Sequence, residues 1–176
     1  MTLTQGIHGK VVAITGGARG IGYATAGRLI ADGAQVAIGD IDELRLKQAA
    51  ADLGLTTYAR LDVTDPGSFA AFLDLVEAEL GPLDVLVNNA GIMPIGPLAE
   101  EDDASTRRMV EINVLGVMFG TKLALRRMAP RRRGHIINIA SLAGESFVPG
   151  SATYCGTKHA VNGFTESARR ELCSQV

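Results

Sequence analysis

The sequence predicts an α/β fold in which helices cover both faces of one parallel sheet, the arrangement called doubly wound. Short apolar runs alternate five times with segments of helical periodicity, and strands that alternate with helices pair in parallel. The 176 residues, 47% hydrophobic and 20% charged, are enough for one domain with a sizeable core. No repeat or linker divides the sequence, so a single domain is predicted over residues 1–176.

The first three strands are predicted from short apolar, β-branched runs, and each is followed by a helical segment. KVVAIT at residues 10–15 has the pattern of a strand buried on both faces. Glycine ends the first two helices, and an Asp-Pro pair begins the third. The predicted strands are 10–15, 34–39 and 57–61, and the predicted helices are 23–31, 42–53 and 65–80.

The second half of the chain continues the alternation with longer helices. DVLVN at 84–88 and GHIINIA at 134–140 are predicted strands. A loop and a long helical segment over 103–128 follow the first of them, and a final helix over 150–173 follows the second. The alternation therefore contains five strands joined by helical connections.

Composition and charge argue against several classes of protein. A formal net charge of −2 gives no general reason to expect nucleic acid or an anionic membrane as a partner. The N-terminus has no signal-like apolar core, and no apolar run approaches the ~18 residues that span a bilayer. Cys155 and Cys173 fit neither a disulfide framework nor a metal-ligand spacing. We therefore predict a reducing, cytoplasmic setting and no metal site.

Residues suited to ligand binding follow the predicted strands at the point where each strand ends. In such sheets, ligands bind at the carboxyl ends of the strands, near the switch in strand order. One ligand site is therefore predicted at this edge of the sheet. The residues at the five strand ends are Gly16, Asp40, Asp62, Asn88 with Asn89, and Ser141.

The glycine-rich loop after the first strand, GGARGIG, suits the binding of a pyrophosphate. Its spacing, Gly16-x-x-x-Gly20-x-Gly22, differs from the G-x-G-x-x-G dinucleotide fingerprint. Glycines nevertheless allow a phosphate to approach the backbone closely at a helix N-terminus, where free N–H groups favour anions. A tight strand-to-helix turn without a ligand is the alternative, but the position after the first strand favours a nucleotide.

Asp40 favours NAD over NADP as the cofactor. It follows the second strand, where an acidic residue can accept a hydrogen bond from a ribose 2′-hydroxyl. A 2′-phosphate about 4 Å from this carboxylate would cost ~4 kcal/mol at an effective dielectric of 20, more than a hundredfold in affinity. Arg19 could offset part of that cost. The alternative is that Asp40 caps the helix predicted from residue 42.

Tyr154 and Lys158 form the candidate catalytic pair. A spacing of four residues places both side chains on one face of a helix. An ammonium held close to a phenol favours the phenolate and lowers its pKa toward the range useful for acid–base catalysis. Ser141, thirteen residues upstream of Tyr154, could hydrogen-bond the oxygen that gains or loses the proton. A Tyr-x-x-x-Lys pair alone arises by chance in roughly 7% of such chains, so its meaning depends on the adjacent cofactor site.

For each of three further groups of residues, the sequence allows both a structural and a functional interpretation. The sequence Asn88-Asn89-Ala90-Gly91 is rich in turn formers and could be structural. Asp62 could cap a helix rather than contact a ligand. Asn113 lies in an apolar segment, where an amide is costly unless hydrogen-bonded, so it is either a satisfied core amide or a group that orders water near the site.

Together, TGGARGIG, Asp40, Asp62-Val63, NNAG, Asn113, Ser141 and YCGTK resemble the short-chain dehydrogenase/reductase family, over residues 10 to about 172. The resemblance implies a Rossmann-type fold that binds a nicotinamide dinucleotide. It implies a pyrophosphate contact for Gly16, Arg19, Gly20, Ile21 and Gly22, a ribose contact for Asp40, an adenine contact for Asp62 and Val63, and positions beside the cofactor for Asn89, Ala90 and Gly91.

The resemblance also implies the reversible oxidation of a secondary alcohol to a ketone. In this interpretation Tyr154 is the acid–base residue, and Lys158 lowers its pKa and holds the nicotinamide ribose. Ser141 binds the substrate oxygen, and Asn113 maintains a water relay. The segments 92–95 and 142–148 beside the expected pocket are mostly apolar, which indicates a substrate with hydrophobic bulk.

The chain departs from the family pattern at its C-terminal end. Members of the family usually continue into a sixth strand, a substrate-covering lid and a seventh strand, which are not present in these 176 residues. We expect a fragment of a longer enzyme, with a truncated form or an edge covered by a partner chain as alternatives. The family implies a homo-oligomer, either a dimer or a tetramer. A nucleotide-binding or redox-sensing subunit without catalysis is the alternative function.

Overall fold

A five-stranded parallel sheet with the order β3-β2-β1-β4-β5 forms the centre of the computed structural model, which describes residues 6–173. The chain builds the sheet in two directions from β1: β2 and β3 lie on one side of it, and β4 and β5 lie on the other. The strands are β1 Val11–Thr15, β2 Gln35–Asp40, β3 Tyr58–Arg60, β4 Val85–Asn88 and β5 His135–Asn138. The helices are α1 Gly20–Ala31, α2 Glu43–Leu53, α3 Pro66–Leu80, α4 Asp103–Val110, α5 Gly116–Met128 and α6 Ala152–Cys173.

Alternate side chains of β1 enter the two apolar layers on either side of the sheet. Val11 and Ala13 pack against the layer that α3 and α5 cover, whereas Val12 and Ile14 pack against the layer that α1 and α2 cover. All five residues of β1 are buried, because this strand lies between β2 and β4 and has helices over both faces. The predicted doubly wound α/β fold is therefore confirmed.

Helices α2 and α3 start one residue later than predicted, because Asp42 and Asp65 cap them. Helices α1 and α6 differ from the prediction by more than one residue, and glycines explain both shifts. Helix α1 begins at Gly20, three residues earlier than predicted, so the end of the glycine loop forms its first turn. Helix α6 begins at Ala152 rather than at residue 150, because Gly150 has a φ of 77° and is not helical.

The long helical segment predicted over residues 103–128 is interrupted by one wide turn. Helix α4 ends at Val110, a π-helical turn spans Glu111–Leu115, and α5 begins at Gly116. Single π-helical turns within longer helices are rare and often occur at functional sites. Asn113 lies in this turn and is fully buried.

The aspartates that cap helices are not the ones at the strand ends. The side chain of Asp42 accepts a hydrogen bond from the backbone N–H of Arg45 and caps α2, and the side chain of Asp65 caps α3 through Gly67. Capping by Asp40 or Asp62, the alternative left open by the sequence, is therefore not observed. Both aspartates lie instead beside a cavity.

Two arginines, one near the end of α5 and one just beyond it, contact other elements of the fold. Arg127 forms ion pairs with Asp74 and Glu77 of α3. Arg131 donates a hydrogen bond to the carbonyl of Leu83, just before β4. These contacts fix the end of α5 beside the amino end of the sheet.

No helix within residues 6–173 is both long and apolar enough to span a bilayer.

We expect Gly120→Ala to lower the free energy of unfolding by about 1–3 kcal/mol, because α5 has no space for a methyl group at this position. A Cβ there would lie 2.3 Å from Oδ1 of Asn88 and 2.5 Å from the ring of Phe69. Gly163→Ala is the matched control, since no atom lies within 4 Å of a Cβ on that exposed helical glycine. It should raise stability by up to about 1 kcal/mol. Equal denaturation midpoints for the two variants would contradict this packing.

Candidate functional site

A cavity of about 510 Å³ lies at the carboxyl ends of the strands and brings together most of the predicted site residues. It contains both the residues expected to bind a nucleotide and those expected to perform catalysis. Of the predicted residues, Gly20, Gly22, Asn88 and Asn113 do not line it, and Asn88 is buried with its amide donating a hydrogen bond to Asn138. Those that do are Gly16, Arg19, Ile21, Asp40, Asp62, Val63, Asn89, Ala90, Gly91, Ser141, Tyr154 and Lys158.

The glycines of the first loop serve different purposes. A Cβ on Gly22 would lie 2.3 Å from the carbonyl oxygen of Gly16, so the first turn of α1 packs directly on the loop. Gly20 has a φ of 57°, and a Cβ there would meet no atom within 4 Å. Among the described residues, no side chain caps the N-terminus of α1. The loop therefore presents open space next to helix N–H groups that lack intrahelical acceptors.

Thr15 and Asn89 join the glycine loop to the end of β4. The hydroxyl oxygen of Thr15 accepts hydrogen bonds from the backbone N–H groups of Asn89 and Ala90, both at 3.0 Å. The amide of Asn89 donates to the carbonyls of Thr15 and Gly16, at 2.9 and 3.1 Å. The NNAG segment is thus a turn held by β1 as well as a wall of the cavity. Sequence reasoning missed Thr15, whose only signal was a hydroxyl at the end of an apolar run.

The carboxylate of Asp40 has a fixed orientation at the rim of the cavity. One oxygen accepts a hydrogen bond from the N–H of Ala18 and the other from the N–H of Asp42, each at 3.1 Å. Ala18 belongs to the glycine loop, so Asp40 ties the end of β2 to that loop. Each carboxylate oxygen keeps further acceptor capacity toward the cavity.

Asp62 and Val63 form the adjoining part of the cavity wall. One carboxylate oxygen of Asp62 accepts hydrogen bonds from the N–H and the hydroxyl of Thr64, at 2.9 and 2.7 Å. Val63 is buried and lies against Gly116, where a Cβ would be 2.9 Å from its side chain. The part of the cavity wall that follows β3 therefore presents one carboxylate and one apolar side chain.

Ser141, Tyr154 and Lys158 line the same cavity, although they come from two elements. Ser141 follows β5, and its side chain caps a 3-10 turn at Leu142–Gly144. Tyr154 and Lys158 lie one turn apart on α6, with Nζ of Lys158 5.7 Å from the centre of the Tyr154 ring. Lys158 is 5% exposed, and its Nζ donates a hydrogen bond to the carbonyl of Ile139 at 2.8 Å. Burial lowers the pKa of the Lys158 ammonium.

Both polar atoms of the Asn113 amide form hydrogen bonds from the π-helical turn to other segments. Its oxygen accepts the N–H of Ile92 at 2.9 Å, and its nitrogen donates to the carbonyl of Ile92 at 2.9 Å and to the hydroxyl of Thr157 at 3.2 Å. Asn113 thus holds residues 92–95, which follow β4 and are called the wall segment below, against α6. The arrangement is that of a satisfied core amide, and the role in ordering water stays a prediction.

The site contains no recognisable metal centre. Within the described residues, no three histidine, cysteine, aspartate or glutamate side chains are grouped so as to hold a metal ion. The polar groups that line the cavity are glycine backbone, two carboxylates, a guanidinium, an amide, a hydroxyl, a phenol and an ammonium.

The fold and this cavity together define a Rossmann-type nucleotide-binding domain. The family model described as short chain dehydrogenase matches residues 10–176. The chain belongs to this family of oxidoreductases, which confirms the resemblance indicated by the sequence motifs.

Several relatives are similar along nearly the whole chain. An uncharacterised oxidoreductase from Staphylococcus saprophyticus is 38% identical over 94% of this chain and 68% of its own length. The 3-alpha-(or 20-beta)-hydroxysteroid dehydrogenase of Mycobacterium tuberculosis is 39% identical over 93% of this chain and 64% of its own length. The crystal structure of an NAD⁺-bound xylitol dehydrogenase superimposes with a TM-score of 0.89 at 32% identity, covering 96% of this chain and 66% of that one. The chain thus spans about two thirds of the length of these relatives.

Proposed function

We propose that the protein is an oxidoreductase that transfers a hydride between a nicotinamide cofactor and a secondary alcohol or ketone. The observation that carries this proposal is the single cavity that joins the glycine loop and Asp40 to Ser141, Tyr154 and Lys158. An extended dinucleotide lying along it would have its phosphates at the loop and its nicotinamide end beside the phenol.

The residues present fit such a cofactor. Gly20 leaves open space at the N-terminus of α1, where a pyrophosphate would meet free N–H groups. Asp40 offers oriented carboxylate oxygens for ribose hydroxyls. Asp62 and Val63 would flank the adenine, while Asn89, Ala90 and Gly91 would line the path toward the nicotinamide. The cofactor, when bound, supplies the hydride acceptor or donor.

The proposed roles of the protein groups concern the proton and the orientation of the substrate. Tyr154 accepts the proton of the substrate hydroxyl during oxidation and returns it during reduction. The ammonium of Lys158, on the same face of α6, stabilises the negative charge that the phenol carries in this exchange. Ser141 donates a hydrogen bond to the substrate oxygen and thereby orients the reacting carbon.

We propose NAD rather than NADP as the cofactor. The carboxylate of Asp40 would face the 2′-phosphate of NADP, and it cannot turn away without losing its bonds to Ala18 and Asp42. Solvent reaches this rim, so screening reduces the repulsion below its value for a buried pair. The NAD⁺ bound to the related xylitol dehydrogenase is consistent with the same preference.

We expect Asp40→Ser to raise the affinity for NADPH by about tenfold or more and to lower the affinity for NADH, because it removes the like charge and the ribose acceptor. Fluorescence titration with each reduced cofactor measures both dissociation constants. Asp52→Asn is the matched control, since Asp52 is an exposed carboxylate on α2. A parent protein that prefers NADPH, or a variant with an unchanged preference, would contradict the role of Asp40.

The apolar part of the cavity supports a substrate with hydrophobic bulk. Ile92, Met93 and Ile112 line the cavity. Met93 and Ile95 are largely exposed in the wall segment, as are Leu142 and Phe147 in the segment after Ser141. The hydroxysteroid dehydrogenase among the relatives is named for a bulky alcohol of this kind. We therefore propose cyclic or similarly bulky secondary alcohols as the substrate class.

Turnover with a panel of such alcohols and NAD⁺ tests the proposed function. NADH formation that depends on the alcohol would support it. NADH binding without turnover on any of them would favour the non-catalytic nucleotide-binding subunit instead. The homo-oligomer, the cytoplasmic location and the extent of the domain over residues 1–176 stay predictions.

A further inference from the structure

The segment that carries Ser141 is held against α6 by two side chains from one stripe of that helix. Nζ of Lys158 donates to the carbonyl of Ile139 at 2.8 Å, and Nδ2 of Asn162 donates to the carbonyl of Gly144 at 3.1 Å. Tyr154, Lys158 and Asn162 succeed one another every four residues, so they share one side of the helix. Ser141 lies between the two tethered carbonyls.

Ser141 belongs to a turn that holds its own shape. Its hydroxyl oxygen accepts the N–H of Ala143 at 3.1 Å, and its carbonyl accepts the N–H of Gly144 at 2.9 Å. Because the turn is closed by these local bonds, it moves as a unit. The position of Ser141 relative to Tyr154 therefore depends on how the turn is seated on α6.

The turn is in direct contact with the backbone of α6. A Cβ on Gly144 would lie 2.9 Å from the carbonyl oxygen of Lys158 and 2.7 Å from Nδ2 of Asn162. Only a glycine allows this approach, and the amide of Asn162 reaches the turn at the same point. The Asn162 bond and the close contact at Gly144 thus act together.

We propose that Asn162 is a positioning residue that fixes Ser141 relative to Tyr154 by fastening the turn 142–144 to α6. This inference rests on the proposed function insofar as Ser141 orients the substrate oxygen. Loss of the amide donor would let the turn shift, and a displacement of about 1 Å at a reacting group can cost on the order of a hundredfold in rate. Cofactor binding should be kept, because the glycine loop and Asp40, which would hold the pyrophosphate and the adenosine ribose, do not contact the turn.

Asn162→Leu keeps the approximate size of the side chain and removes the donor. We expect kcat to fall about 10- to 100-fold, with the NADH dissociation constant within twofold of the parent value. Amide hydrogen exchange at residues 143–145 should become at least about tenfold faster. Asn162→Gln keeps a donor and should recover part of the rate. Gln48→Leu removes an exposed amide from α2 and should change none of these values.

The rate and the exchange measurement separate this inference from the proposed function. If the parent protein oxidises none of the alcohols, the proposed function fails and amide exchange alone decides the role of Asn162. Unchanged exchange in Asn162→Leu, or a parental rate in that variant when the parent is active, would overturn the inference. If Asn162→Leu does not fold, Gly144→Ala unseats the same turn and must show the faster exchange.

Discussion

Tyr154→Phe should reduce turnover by about a thousandfold or more while NADH binding stays within about threefold of the parent value. The substitution removes one hydroxyl from the wall of the cavity and leaves the ring in place. General acid–base catalysis contributes ~10²–10⁴-fold in enzymes, and in the proposed mechanism no other group accepts the substrate proton. Steady-state kinetics and fluorescence titration measure the two quantities.

Tyr58→Phe provides the matched control for this prediction. Tyr58 lies in β3 and packs against the apolar layer covered by α1 and α2, so its hydroxyl is not part of the cavity. The control variant should keep the parental rate. A Tyr154→Phe enzyme that turns over like the parent would remove Tyr154 from the reaction, and with it the proposed mechanism.

Lys158→Met should lower turnover by about a hundredfold or more. It should also change how the free energy of unfolding depends on pH. The activity falls because the substitution removes the cation beside Tyr154. The stability effect arises because burial lowers the pKa of the Lys158 ammonium, so the charged form is disfavoured in the folded protein.

The direction of the pH effect follows from proton binding. Below the lowered pKa of the folded state, Lys158 is charged in both states and the cost of burying the charge is fully present. As pH rises from that value to the unfolded pKa of ~10.4, the unfolded chain binds more protons and the parent becomes more stable. Lys158→Met lacks this rise, so its stability relative to the parent should decline across the window.

Denaturant unfolding of both proteins at neutral pH and near pH 10 measures this difference. Lys47→Met is the control, because Lys47 is exposed on α2. The control should show the same dependence on pH as the parent. A constant difference in stability between Lys158→Met and the parent over this range would contradict the effect of burial on Lys158.

Much of the fold could be predicted because its signals are local. The apolar runs of β1 and β4 are short and bounded by glycine, aspartate or asparagine, so their position needed no knowledge of distant residues. The meeting of Gly16, Asp40 and Ser141 at one cavity followed from the rule that parallel strands place their carboxyl ends at one edge. The helix starts differed by more than one residue only where a glycine decided the geometry.

Long-range packing could not be predicted from those signals. The π-helical turn coincides with bonds from Asn113 to Ile92 and Thr157, residues 21 and 44 positions away along the chain. The bonds between Thr15 and Asn89 likewise join residues 74 positions apart. Periodicity reports which face of a helix is buried, but it does not report which polar atoms meet across the core.

The roles of neighbouring aspartates show the same limit within a short segment. Asp40 and Asp42 are two residues apart, and either could have capped α2 from the sequence alone. The structure assigns the cap to Asp42 and leaves Asp40 at the rim of the cavity. The choice depends on the backbone angles at the end of β2, which single residues do not encode.

A crystal structure of the protein with NAD⁺ would show whether one dinucleotide lies along the cavity from the glycine loop to Tyr154. We expect the adenosine ribose to hydrogen-bond Asp40, the pyrophosphate to lie on the loop at Gly20, and the nicotinamide ring to face Tyr154 and Lys158. A dinucleotide bound elsewhere on the chain, or a nicotinamide turned away from Tyr154, would contradict the account.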